Sequence, residues 1–322
     1  MKIKKEYFIL AIVMVSLILY LMLRESDRIH YRMPAVPGID GKRITKIEIF
    51  TPDESIALSK KDDKWFIAPK AYLADSSKVQ SMLNVIESLT VTAMVSSSKN
   101  YDRYDLSDDR KISIKAWGGN SIDREFDIGK SASTFQHTHV RLPEDPNVYH
   151  AKGNFRFTFD NKSENLRDLT VLSFDTEDIR EIHIGLDNKT IQVSRTEVPV
   201  EIEKPQTTQT KDTDTTHPHE TKSVWQTAEG KNVDDSKVKQ VVAYLSELDC
   251  ERYVEGKTKE AFQDPIYSIT MQGAEEYTLL IFTPTEGEEK SHPAASSQND
   301  YPFILSDFKV NNIKKKIEEM LP

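Results

Sequence analysis

Two pairs of histidines have a spacing that would suit metal chemistry. His137 and His139 are separated by one residue, and so are His217 and His219. A zinc site needs three or four ligands supported by neighbouring hydrogen-bonding groups. The second pair lies in a threonine-rich stretch, and the first lies near a strand that precedes a proline-rich turn. We therefore interpret both pairs as loop residues and predict neither a metal nor another cofactor.

Two tryptophans, Trp65 and Trp225, occupy matching positions after predicted strand pairs. One interpretation is an aromatic platform for a glycan. The favoured interpretation is a core anchor in each copy, because a tryptophan contributes a large apolar area to packing. Repetition at one structural position is typical of such an anchor.

Two acidic residues stand where catalytic carboxylates could be placed, but also where helices begin. Asp75 and Asp234 each precede an amphipathic pattern, which favours a helix N-cap. The cluster Tyr101–Asp105 reads YDRYD and fits either a ligand contact or a turn. Arg167 and Asp168 end the first of two related stretches, and we interpret them as a structural ion pair.

Motifs of known enzymes are absent from the sequence. There is no nucleophile elbow, phosphate-binding loop, dinucleotide-binding turn or zinc-protease helix, and the chain has only 11 glycines. Cys250 is the single cysteine, which excludes an intramolecular disulfide and suggests a small buried side chain. The sequence therefore predicts no catalytic residue. A hydrolase whose residues converge only in the fold stays an alternative.

The charge balance limits the classes of partner. The chain carries 43 basic and 52 acidic residues, for a formal net charge of -9. Nucleic acid binding requires a basic footprint, which this composition lacks. We predict no nucleic acid partner.

An apolar run near the N-terminus predicts a membrane anchor. Tyr7–Leu23 contains no charged residue, and Lys2, Lys4 and Lys5 precede it. A helix of this length approaches the hydrocarbon thickness of a bilayer, and flanking lysines favour the cytoplasmic side. The sequence therefore predicts a single-pass protein of the cytoplasmic membrane, with its N-terminus cytoplasmic and its domains extracytoplasmic.

The elements between these residues repeat once along the chain. The pattern Ile-x-x-Ile-x-Ile occurs at 44–49 and again at 179–184. Asp75–Val79 matches Asp234–Val238, and each opens a helix with apolar residues on one face. In both copies, stretches follow in which apolar and polar residues alternate, which is the pattern of half-buried strands. We predict an α+β fold class: one transmembrane helix, then two tandem copies of a mixed, largely antiparallel repeat.

The number of residues that separates matching positions of the two copies increases after the second strand of the repeat. The second copy therefore contains an insertion at this point. Residues 198–222 contain seven threonines and three prolines and no aromatic residue. Such a composition buries too little apolar surface to order a chain. The predicted organisation is an anchor with its cytoplasmic tip (1–25), a linker (26–43), a first repeat (44–175) and a second repeat (176–322) with a disordered insert (198–222).

The order of these weak motifs resembles a bacterial family catalogued as a domain of unknown function, number forty-three forty. The residues that carry the resemblance include 44–49, Trp65, Asp75–Val79 and the Val148-Tyr149 strand. The Leu-Arg-Asp motif at 166–168 has no counterpart in the second copy. The resemblance implies a membrane-anchored accessory protein of gliding-motility-type ABC transporters and implies no known reaction.

These observations lead to one function and two alternatives. We expect a non-enzymatic accessory or interaction protein of the cell envelope, with a membrane and integral-membrane transporter subunits as its partners. The first alternative is an extracytoplasmic module that binds a ligand or glycan. The second is the hydrolase with a dispersed site.

Overall fold

The structure is a computed structural model that describes residues 5–23, 33–186, 189–199, 221–284, 287 and 290–321. The chain divides into two compact units, Met1–Asp168 and Leu169–Pro322. The sequence boundary between 175 and 176 lies slightly later than this division. The difference arises because the strand Thr170–Ser173 pairs with Glu247–Asp249 of the second unit.

The first unit contains an antiparallel sheet of nine strands. Its strands are β1 (Lys46–Phe50), β2 (Ser55–Lys61), β3 (Lys64–Ile67), β4 (Tyr72–Leu73), β5 (Val91–Ser96), β6 (Ile112–Gly118), β7 (Ser121–Ser131), β8 (His137–Arg141) and β9 (Val148–Lys152). Its helices are α1 (Lys5–Leu23), α2 (Ser76–Ser88) and the short α3 (Arg156–Phe159). The strand order across the sheet is β4-β3-β2-β1-β6-β7-β8-β9-β5.

The second unit repeats this arrangement. Its strands are β10 (Thr170–Ser173), β11 (Glu181–Leu186), β12 (Lys189–Pro199), β13 (Thr221–Thr227), β14 (Asn232–Val233), β15 (Glu247–Asp249), β16 (Arg252–Tyr253), β17 (Tyr267–Gln272), β18 (Glu276–Ile281), β19 (Ser291–Ser296) and β20 (Phe303–Ser306). Its helices are α4 (Asp235–Leu245) and α5 (Asp307–Met320). The nine-stranded sheet has the order β14-β13-β12-β11-β17-β18-β19-β20-β16, which matches the first unit position by position.

Alternation of apolar and polar residues places one face of each sheet in a core. In the first unit Ile49 pairs with Ile56 on one side and with Ile114 on the other, and all three are buried. Because successive strand residues point to opposite faces, the polar Lys46 and Glu48 lie on the outer face. The isoleucine pattern identified in the sequence is therefore the centre of the core.

A helix covers the inner face of each sheet. Asp75 caps α2 by accepting hydrogen bonds from the backbone N–H groups of Ser77 and Lys78 at 2.9 and 3.1 Å. Asp234 caps α4 in the same way through Ser236, at 2.8 Å. The N-cap interpretation of both aspartates is confirmed, and Val79, Met82 and Ile86 of α2 are buried against the sheet.

The edges of the sheets are short or irregular. Strands β4, β14 and β16 have two residues each. The remaining edge, β5, pairs with β9 through two register shifts, one between Val91 and Ala93 and one between Met94 and Ser96.

The predicted transmembrane anchor requires correction. In the part of the chain that the structure describes, no helix is both long enough and apolar enough to cross a membrane. A helix that spans a bilayer needs roughly 20 consecutive apolar residues. The fold class with its transmembrane helix, the single-pass topology and the location derived from it are therefore wrong as stated. The structure instead supports two units built mainly from antiparallel strands.

The strands around the predicted insert extend into it. Val198 pairs with Lys222 and Pro199 pairs with Thr221, so the ends of the 198–222 segment belong to β12 and β13. Residues 200–220, on which the prediction of disorder mainly falls, lie outside the described residues.

This hairpin allows a direct test of the insert. Replacing residues 200–220 by an Asn-Gly turn joins the paired ends Pro199 and Thr221 with a loop suited to a hairpin. Loop length carries a cost of only about 0.6 kcal/mol per doubling, so we expect the melting temperature to stay within about 4 °C of the parent. Differential scanning calorimetry measures both the midpoint and the cooperativity.

A longer deletion provides the control. Removing residues 196–224 also removes ladder pairs such as Thr196 with Val224, and it should lower the melting temperature clearly. Equal destabilisation by the two deletions would contradict the interpretation of 200–220 as a dispensable loop.

Candidate functional site

A groove lies beside the buried tryptophan of the first unit. It is bounded by the 3-10 turn Gly41–Arg43, the hairpin of β2 and β3, and helix α2, and it encloses about 320 Å³. Its floor is the edge of Trp65 with Ile44 and Leu83. We call this cavity the Trp65 groove.

A second groove occupies the corresponding place in the second unit. It is bounded by the 3-10 turn Thr176–Asp178, the hairpin of β12 and β13, and helix α4, and it encloses about 160 Å³. Trp225, Ile179 and Val242 form its floor. We call this cavity the Trp225 groove.

The two grooves are built in the same way. In each, a basic residue pairs directly with the tryptophan across the hairpin: Lys60 with Trp65, and Arg195 with Trp225. In each, an aspartate begins the 3-10 turn and accepts a hydrogen bond from a backbone N–H group two residues later, at 2.9 Å. The groove is thus a feature of the repeat rather than of one copy.

Charged residues of both signs line the rims. In the Trp65 groove the Lys60 Nζ atom lies 2.9 Å from Asp63 Oδ1, and this hydrogen bond lowers the pKa of Asp63. In the Trp225 groove Lys239 lies 3.0 Å from Asp235 along α4. An apolar floor with a mixed charged rim suits the side chains of a polypeptide. It provides no nucleophile activated by a neighbouring base.

The tryptophan prediction is confirmed. Only 7% of Trp65 and 5% of Trp225 is exposed, so both are core anchors whose edges reach a groove. Sequence reasoning identified these residues but not the cavities, because the 3-10 turns that close them carry no distinctive pattern.

The interpretation of His137 and His139 as loop residues is wrong, because both lie on strand β8, where they meet a histidine that the sequence did not single out. The rings of His137 and His139 lie 5.3 and 4.9 Å from the ring of His150 on β9. Among the described residues, no group of three or more His, Cys, Asp or Glu side chains is arranged to hold a metal ion. His217 and His219 lie outside the part of the chain that the structure describes.

The remaining residues singled out in the sequence lie in turns or in buried positions. Tyr101–Tyr104 forms a 3-10 turn, and the Tyr101 hydroxyl donates to the carbonyl of Pro146 at 2.9 Å. Arg167 is buried with its guanidinium 3.5 Å from the ring centroid of Tyr72, while its ion pair with Asp168 stays a prediction. Cys250 is buried.

The third tryptophan was missed by the sequence reasoning. Trp117 lies on the outer face of β6, where its Nε1 donates to Glu48 Oε2 at 3.2 Å and Lys46 Nζ lies 5.3 Å from its ring centroid. The hydrogen bond from Lys46 is the largest influence that lowers the pKa of Glu48. The alternation of Ile112, Ile114 and Ala116 along β6 was the available signal, since it directs residue 117 outwards.

Comparison with known proteins identifies a family. A family model described as a domain of unknown function (DUF4340) matches residues 65–266, more than half of the chain and parts of both units. No curated protein and no solved structure matches the chain. The family resemblance seen in the sequence is confirmed, and the match supplies no reaction or ligand.

The different exposure of the three tryptophans is testable by fluorescence. We expect Trp117→Phe to reduce the quenching of fluorescence by acrylamide and to leave a blue-shifted emission, because Trp65 and Trp225 are buried. The matched variants Trp65→Phe and Trp225→Phe should retain the quenchable component. Unchanged quenching in Trp117→Phe would contradict this placement of the three rings.

Proposed function

This chain belongs to the DUF4340 family, and we propose that it is a non-enzymatic interaction protein that serves an ABC-type transport system. The observation that carries the proposal is the repeated groove. Two copies of the unit have diverged in sequence, yet each keeps a cavity with a tryptophan floor at the same place in the fold. A packing role accounts for the buried rings and leaves the open cavities unexplained.

The chemistry of the grooves favours recognition over catalysis. The acidic groups Asp63 and Asp235 on the rims are each paired with a lysine, at 2.9 and 3.0 Å. Catalytic acids and bases are usually poised by burial or by a like charge so that their protonation changes near the working pH. Carboxylates paired with lysines at an exposed rim instead suit the orientation of a charged partner.

The size of the grooves points to side chains of a protein partner. Cavities for drug-sized ligands are commonly about 300–1,000 Å³ and largely enclosed. The Trp225 groove, at about 160 Å³, takes about one large side chain. The Trp65 groove, at about 320 Å³, lies at the lower end of that range and also has room for a short peptide segment.

Two grooves in one chain also strengthen a weak interaction. When two binding modules are linked, the second binding event becomes intramolecular and proceeds at an effective concentration that can reach about millimolar. A transporter with two matching segments would therefore be held more firmly than either groove alone allows. We propose integral-membrane transporter subunits as the partners.

A second function, glycan or ligand binding, is favoured by one observation. Trp117 is partly exposed on the outer face of its sheet, between Lys46 and Glu48. An aromatic ring flanked by polar groups is the kind of surface on which a sugar ring stacks. Loss of glycan binding in Trp117→Phe would support this second function.

Site-specific photocrosslinking tests the main proposal. A photoreactive amino acid is introduced at Gln80 of α2 or Lys239 of α4, which are exposed and line the two grooves. The full-length chain is then irradiated in cells, and its crosslinked products are identified by mass spectrometry. We expect a transporter subunit among the products at one or both positions.

Neighbouring residues on the same helices are the matched controls. Ser81 and Gln240 follow the probe positions by one residue and line neither groove. They should crosslink several-fold less, since one residue turns a helix position by about 100°. The proposal is overturned if no transporter subunit is captured at the groove positions, or if the purified chain turns over a substrate.

A further inference from the structure

A short segment of the first unit packs directly on the outer face of its sheet. We define the cover segment as residues 100–106, which contain the 3-10 turn Tyr101–Tyr104. Leu106 is fully buried. A Cβ atom on Gly129 of β7 would lie 2.2 Å from the carbonyl oxygen of Tyr104. The backbones therefore meet at a distance that only glycine permits.

Three histidine rings lie beneath and beside this segment. The ring of Tyr104 lies 5.0 Å from that of His139, and His139 lies 4.9 Å from His150. The ring of His137 also stacks on that of His150, at 5.3 Å. The cover segment is thus in ring contact with one end of a chain of three imidazoles.

The most buried of the three rings has a fixed hydrogen bond. Only 7% of His139 is exposed, and its Nδ1 donates to the carbonyl oxygen of Lys130 at 2.8 Å. The other nitrogen is then the site that takes up a proton on acidification. A proton taken up there adds a positive charge within a buried cluster.

The charged groups around the cluster give this added charge limited compensation. The charge of Lys130 on β7 opposes protonation of His139, whereas the hydrogen bond to the Lys130 carbonyl and the charge of Asp105 in the cover segment favour it. Lys152 is the strand partner of His137 and adds a further positive charge. The next charged pair on this face, Arg141 with Asp127, is already bonded to itself through two guanidinium nitrogens.

Burial and neighbouring charges oppose protonation of His139 and His150. Desolvation lowers the pKa of His139, and desolvation together with the charges of His139 and His137 lowers the pKa of His150. A histidine whose folded pKa is lowered contributes its full stability above its unfolded pKa, near 6.5, and loses it as the pH falls further. The packed arrangement is therefore favoured at neutral pH and opposed by acid.

We propose that acid releases the cover segment: protonation of His139 and His150, whose rings pack together beside His137, detaches residues 100–106 and exposes the outer face of β7 and β8. The contact between Tyr104 and His139 transmits the change, because a charged His139 repels its charged neighbours and draws water to the ring. This inference concerns the opposite face of the sheet from the Trp65 groove and does not depend on the proposed partner.

The described part of the second unit places its buried histidine in different surroundings and serves as an internal control. Its buried His292 on β19 has Nδ1 3.1 Å from the carbonyl oxygen of Phe282 and Nε2 3.3 Å from Asp307 Oδ1. Both ring nitrogens of His292 thus have a polar partner, and the partner of Nε2 is a carboxylate. The equivalent turn Lys259–Ala261 should therefore keep its protection in acid.

Hydrogen exchange on the full-length chain tests this release. Protection factors, corrected for the intrinsic pH dependence of exchange, are compared at pH 7.5 and pH 5.0 for residues 100–106 and for residues 259–261. We expect a loss of roughly tenfold in the cover segment and little change in the second unit. The double variant His137→Gln/His150→Gln should lose protection less than about threefold, because it leaves His139 without charged ring neighbours.

Two further measurements decide the matter if the double variant does not fold. Gly129→Ala should expose the cover segment at pH 7.5 as well, since its Cβ displaces the Tyr104 carbonyl. In the wild-type chain, the NMR titration of the His139 imidazole should coincide with a shift of the Tyr104 ring signals. The proposal is overturned if wild-type protection is unchanged at pH 5.0, if the double variant responds as the wild type does, or if His139 titrates without any change at Tyr104.

Discussion

Each unit depends on a central strand that is hydrogen-bonded on both sides. β1 pairs with β2 and β6, and β11 pairs with β12 and β17, so either strand fixes two registers at once. A shift of one residue would turn every isoleucine of the strand from the core to the outer face. The register at this strand therefore sets which side chains of the neighbouring hairpin face α2 or α4. The tryptophan floors of both grooves follow from it.

The repeated pattern made much of this arrangement predictable. The isoleucine spacing at 44–49 and 179–184, the tryptophans and the capping aspartates are local signals, and each marks a position that the structure uses. The pairing of β10 with β15 was not predictable, since it joins short segments far apart in the chain. The same reason explains the histidine cluster. His137 and His139 are close in sequence, but His150 reaches them only through the register of β8 and β9.

The family match and the fold place different limits on function. The family match at 65–266 covers parts of both units. The second copy is therefore partly included in the match, although it has no Leu-Arg-Asp motif. The apolar N-terminal pattern was the strongest single signal in the sequence, but the anchor derived from it was not supported. The grooves could not be recognised from a sequence motif. Each is a space left between side chains of several separate elements, and no short stretch of sequence encodes it.

The ends of the two sheets have a consequence for the behaviour of the protein in solution at high concentration. A regular, exposed edge strand presents unpaired backbone groups on which another chain can add a strand, which is how many antiparallel sheets begin to aggregate. Here three of the four edges, β4, β14 and β16, are two residues long, too short to template such growth. The fourth, β5, is interrupted by two bulges, which twist an edge and break the regular spacing of its hydrogen-bonding groups. In the part of the chain that the structure describes, each nine-stranded sheet therefore presents little regular backbone at its edges to which another strand could pair.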